Sequence, residues 1–163
     1  IPWALSQFKA LRSSTTKLIA NDAMSYSILI EENIDQDSTY NGLRLFANAE
    51  KEIEYNNLSL SKQYLDSINT SYLYHPLFDE VLILRAKISI LEKEFEQAKE
   101  YLKESLKKYP YELTADDALY ILSDIYLNQT KEISLAKETL EKIIIDYPNS
   151  IYVIEARKLL SEL

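Results

Sequence analysis

The sequence predicts an all-α fold of antiparallel helix hairpins stacked side by side, about eight or nine helices in all. Three observations lead there. The 163 residues include one glycine, Gly42, and four prolines, too few backbone breakers for the many tight turns of an all-β chain. A block of residues recurs every 37–38 positions or so, roughly the length of one helix–turn–helix unit. Apolar residues within each block fall at helical spacing.

The elements follow in order. Residues 3–14 and 20–33 are expected to form two less regular helices separated by Ser13-Ser14-Thr15-Thr16, with a polar loop over 34–40. The repeats come next. Ala98-Lys99-Glu100-Tyr101-Leu102, followed by Leu106, Tyr109 and Pro110, returns as Ala136-Lys137-Glu138-Thr139-Leu140, followed by Ile144, Tyr147 and Pro148. Shifted the other way it reads Ser61-Lys62-Gln63-Tyr64-Leu65, then Ile68 and Tyr72, with Leu73 in place of the proline. Upstream of these, Asp79-Glu80-Val81-Leu82 aligns with Asp116-Asp117-Ala118-Leu119, and Ala49, Ala86 and Ser123 share one position. Repeat one is therefore 41–77, repeat two 78–114 and repeat three 115–148, with a sealing helix over 149–163; the whole of 1–163 is read as one domain. The second helices of repeats two and three end at Tyr-Pro, because proline cannot continue a helix and pushes its predecessor out of the α region. The turns at Asn56-Asn57 and Asn128-Gln129-Thr130 lack glycine, but asparagine tolerates left-handed geometry. Thr114 and Asn149-Ser150 stand where N-caps are expected.

These residues resemble the tetratricopeptide repeat. That family carries, in its second helix, an alanine, a bulky residue four positions on and a proline twelve after the alanine; here these are Ala98, Leu102, Pro110 and Ala136, Leu140, Pro148. The small contact position of its first helix resembles Ala49, Ala86 and Ser123. The chain departs in having no glycine there, in Asn48 and Arg85 where leucine is usual, and in a period longer than about 34. The resemblance covers about residues 41–163 and implies a right-handed α-solenoid that binds protein rather than doing chemistry. The ending Asp146-Tyr147-Pro148-Asn149-Ser150 with Ala156-Arg157-Lys158-Leu159-Leu160 is similar to repeats of bacterial cell-envelope proteins. Together with Ala20-Asn21-Asp22-Ala23-Met24 it looks like the C-terminal part of a longer Bacteroidetes repeat protein with no assigned activity. That likeness favours the periplasm or envelope and leaves the cytoplasm open.

Composition narrows the partners. A net charge of −8 supplies no basic stripe for nucleic acid or for an anionic membrane surface. No apolar run approaches the roughly 20 residues that span a bilayer, so no direct membrane insertion is expected. The absence of cysteine excludes disulfides and thiolate metal sites. The lone histidine, His75, sits in a link between repeats and supports neither a triad nor a metal site. One glycine rules out a phosphate-cradling loop. Asp79-Glu80 and Asp116-Asp117 recur at helix starts, where negative charge offsets the helix dipole, and are read as structural. No cofactor, metal or catalytic residue is expected. Among the 13 tyrosines, Tyr72, Tyr109 and Tyr147 recur with the repeat as packing residues, and Tyr101 and Tyr126 fall on faces expected to be buried.

The resemblance implies that first helices line a concave face. Residues at i, i+3, i+7 then make a candidate partner groove: Leu43, Phe46 and Glu50; Glu80, Ile83 and Lys87; Asp117, Tyr120 and Asp124; with Lys158 extending the row. Apolar and acidic side chains mixed in this way suit an amphipathic helix or a partly basic peptide. Two other classes compete. A purely structural segment of a longer superhelix would expose Trp3, Leu5, Phe8 and Leu11 and self-associate through that end. A helical-scaffold enzyme would need convergent polar groups that the sequence lacks.

Overall fold

The computed structural model describes residues 1–13, 16–34, 40–71 and 77–163. Among them are nine α-helices and no strand: α1 (Pro2–Leu11), α2 (Lys17–Ile34), α3 (Asn41–Glu54), α4 (Leu58–Ser71), α5 (Phe78–Leu91), α6 (Phe95–Lys108), α7 (Ala115–Asp124), α8 (Ile133–Asp146) and α9 (Val153–Glu162). The expected roles of His75, Tyr72, Leu73 and most of the 34–40 loop lie outside the described residues. The chain forms two compact units, Ile1–Phe78 and Asp79–Leu163.

In the first unit α1 packs on α2 and α3 on α4. Pro2 opens α1, where its missing N–H costs nothing. Phe8 of α1 stacks on Tyr26 of α2, ring centres 5.2 Å apart, and Lys9 pairs with Glu31 across the same two helices. The α3–α4 hairpin closes tightly because Ala49 and Ser61 are both small and fully buried; the Ser61 hydroxyl donates to the Ala49 carbonyl at 2.8 Å. Leu65 and Ile68 fill the space below.

In the second unit α6 packs on α7, α7 on α8 and α8 on α9, as in a helical repeat array. One core joins Ile83 and Ala86 of α5, Ala98 and Leu102 of α6, Ala118 and Leu122 of α7, and Ala136 of α8. Its small members let the helix axes approach and its larger ones fill the gaps. A second core, of Leu119, Leu140, Ile143 and Ala156, holds α9 in place. Tyr147 reaches back one whole repeat to donate to the Pro110 carbonyl at 2.6 Å.

The hairpin turns repeat the same geometry. Asn56, Lys93 and Lys131 all take positive φ, and the residue after each donates back into the helix: Asn57 to Glu52, Glu94 to Ser89, and Glu132 to Tyr126, each at 2.8 Å. The first two are the six-to-one bonds of a Schellman closure. The third spans one residue more. The sequence has that extra residue too, since Ala98 and Ala136 stand one position further apart than Ser61 and Ala98, while Ala49, Ala86 and Ser123 are evenly spaced. The surplus is absorbed in a π-helical turn, Ile125–Gln129, which widens the ladder by one residue and returns α8 to register. Asn128 and Gln129 are thus inside that turn, and Lys131, not an asparagine, takes the left-handed position.

Local expectations shift at three other places. The first helix stops at Leu11 rather than 14. Thr114 precedes α7 but makes no capping bond; its hydroxyl instead donates to Asp79 at 2.7 Å, and Asp79, in the first turn of α5 as expected, is buried. Ser150 accepts from the Tyr152 N–H, and α9 begins only at Val153.

Candidate partner-binding site

The ten expected groove positions fall in both units. In the first, Leu43, Phe46 and Glu50 come together in the wall of a cleft of about 670 Å³. The heptad-like spacing along α3 puts all three on the face turned toward α1 and α2. Leu43 and Phe46 are buried and Glu50 is half-buried. Ile1, which precedes α1, Ala4 and Phe8 of α1, and Tyr26, Leu29 and Ile30 of α2 complete the walls, and the exposed Arg44, Ala47 and Asn48 form the α3 rim. The lining is largely apolar, with a few polar groups at its edge, the usual make-up of a binding cleft. Tyr26 donates to Glu50 Oε1 at 3.1 Å. Burial, and after it the carboxylates of Glu50, Asp22 and Glu54, push the Tyr26 hydroxyl far above its ordinary range.

In the second unit the positions part company. Ile83 is in the core, because α5 is buried on almost every side. Glu80 is half-buried and Lys87 exposed. Asp117, Tyr120, Asp124 and Lys158 gather around a second aromatic pair. Tyr120 stacks on Tyr152 with ring centres 4.2 Å apart and planes within 10°, and Tyr152 donates to Asp117 Oδ1 at 2.5 Å. Burial raises the Tyr152 hydroxyl, reinforced by that bond to Asp117. Burial likewise raises Tyr120, with Glu155 and Asp124 adding to the effect and Lys158 opposing it. Asp124 accepts from Asn128 at 2.6 Å, and Lys158 pairs with Glu155.

The α1–α2 walls of the cleft were not among the groove positions expected from the sequence. Phe8, which the structural-segment reading would leave exposed, folds onto Tyr26. Trp3 is 76% exposed and Leu11 is exposed as well. Lys99 was also missed. It is buried, bonded to Glu132 at 2.7 Å and Glu96 at 2.8 Å, with its amine 5.5 Å from the centre of the Tyr126 ring. Nothing in the sequence marks it, because Lys62 and Lys137 hold the same repeat position and are only half-buried.

No group of three or more His, Cys, Asp or Glu that could hold a metal ion occurs among the described residues, and none of their helices is long and apolar enough to cross a membrane. Residues 39–163 match the family model YfiO, described as outer membrane lipoprotein. No curated protein and no solved structure matches the chain.

Proposed function

The chain belongs to the YfiO family, described as outer membrane lipoprotein, and from that premise we propose that it is a non-catalytic scaffold of the cell envelope that holds another protein. The contact is a segment of the partner seated in the cleft between α1, α2 and α3. The observation that carries this is the cleft itself: an apolar trough whose α3 wall is the Leu43, Phe46 and Glu50 face. An apolar interior with polar groups confined to the edge suits a side chain anchored from outside better than a reaction centre. In the second unit the exposed Asp124 and Lys158, beside the half-buried Tyr120, offer a second contact region. The competing reading, a structural segment of a longer superhelix, predicts that the cleft contacts no other protein.

The test is site-specific photocrosslinking in an envelope fraction of the source organism. A photoreactive residue at Ala47, on the exposed rim, is expected to trap one protein partner. The same residue at Asn69, exposed on α4, is expected to trap none. No adduct at 47, or the same adduct at both positions, overturns the proposal.

A further inference from the structure

The two ends of the cleft differ in charge. Glu50 is fixed at one edge by the Tyr26 hydroxyl. Asp22 lies one turn before Tyr26 on α2 and Glu54 one turn after Glu50 on α3, so helical spacing carries both toward that edge. Both are exposed. The electrostatics of Tyr26 agree: after burial, the groups acting on its hydroxyl are Glu50, Asp22 and Glu54, all carboxylates. Arg44, a cation among the described lining residues, lies nearly two turns before Glu50, about 9 Å away along the helix axis. Between these ends the surface is apolar: Phe8, Leu29, Ile30 and Phe46.

We propose that the cleft recognises a basic–apolar segment, in which an aliphatic or aromatic side chain seats among Phe8, Leu29 and Phe46 while an adjacent lysine or arginine meets Glu50, Asp22 and Glu54. The inference rests on the docking reading above and adds the chemistry of the partner. An acidic segment would bring like charges together at the Glu50 end, a repulsion that works as specificity. A wholly apolar occupant would show no dependence on charge. The net charge of −8 also steers a basic segment toward the chain during encounter.

Two labelled peptides with the same apolar core, one flanked by Lys and Arg and the other by Glu, are titrated with the whole chain and read by fluorescence anisotropy. The basic peptide is expected to bind about tenfold more tightly at low salt, with the preference shrinking at about 0.5 M salt as screening shortens the field. The double variant Asp22→Lys/Glu54→Lys, at two exposed positions, is expected to erase or reverse the preference. Ala47→Trp, which fills the rim, is expected to weaken the basic peptide in the wild-type background. Equal binding of the two peptides, tighter binding of the acidic one, no binding of either, or indifference to Asp22→Lys/Glu54→Lys overturns the proposal. A protein crosslinked at position 47 together with a failed charge preference removes this inference alone; an empty crosslink removes the docking reading with it.

Discussion

Replacing Lys99 by methionine tests whether a buried amine serves mainly as packing or as charge. Its side chain is only 6% exposed, yet its partners differ: Glu132 is 37% exposed and Glu96 is 81% exposed. Removing the amine therefore strands neither carboxylate away from water, and the ~3–5 kcal/mol typical of breaking a buried pair does not apply. What is lost is an ion pair near the surface, roughly 0.2–1 kcal/mol, and the contact with the Tyr126 ring, roughly 0.5–2 kcal/mol. Relief of the amine's desolvation and the thioether's own contact with the ring offset part of this. Lys99→Met should cost about 1 kcal/mol, lowering Tm by about 2–4 °C for a chain of this length. Lys99→Ala also gives up the buried methylenes, at about 0.8 kcal/mol each, and should cost about 2–3 kcal/mol. The pH dependence gives an independent readout. Burial alone would lower the Lys99 amine, but its hydrogen bonds to Glu132 and Glu96 raise it above its ordinary value. Its contribution is thus full at neutral pH and lost as pH rises through the raised value. Hydrogen bonds from Lys99 and Thr130 lower the Glu132 carboxyl, so its contribution is present above the ordinary carboxylate range and lost as pH falls through the lowered value. Thermal melts by circular dichroism across pH should show both limbs flattened in Lys99→Met. A loss of about 3–5 kcal/mol in Lys99→Met, or an alanine variant no worse than the methionine one, would refute this reasoning.

Three further outcomes follow from the packing and the turns. Ala98→Leu forces three extra carbons into a fully buried contact and should cost about 1–3 kcal/mol, seen as a lower urea midpoint at unchanged slope. Deleting Gln129 restores an ordinary α-helical closure after α7 and should cost less than about 1 kcal/mol, whereas deleting Glu138 rotates the rest of α8 by about 100° and should abolish its packing; circular dichroism and urea melts separate the two. In an alkaline titration followed by tyrosinate absorbance, Tyr26 and Tyr152 should ionise last, since burial and a bonded carboxylate raise both. Phe at position 152 should remove one late step, and because raised hydroxyls favour the folded state only while protonated, stability should fall as pH climbs past the ordinary tyrosine range.

The repeat seam was legible because it is a matter of side-chain size. Ala49, Ala86 and Ser123 recur at an even interval and Ser61, Ala98 and Ala136 at nearly the same one, and all six are buried. The one-residue surplus in the last repeat was visible as spacing, but where it would settle was not, since an extra residue lodges wherever widening the helix is least costly. The cleft was half legible. Period and face put Leu43, Phe46 and Glu50 on one side of α3, where they share the cleft wall, but the opposing wall comes from α1 and α2, which lie outside the repeat and have no partner position to compare. Ile83 shows the limit of a face rule: it assumes each helix has one solvated side, and α5 has almost none. Asp79 stands in the first turn of α5, as its place in the sequence implies; its burial was not legible, because the hydroxyl of Thr114 that helps make it tolerable comes most of a repeat later.

The reversals at Asn56, Lys93 and Lys131 carry side chains where glycine is the commoner choice. A left-handed residue with a β-carbon is strained by about 1–2 kcal/mol, but it also has fewer conformations to lose on folding than glycine would. The two effects oppose each other. Because an unfolded chain prefers negative φ at asparagine and lysine, each corner is held by the packing of its paired helices rather than preset, and the single glycine of the sequence stands at none of the three.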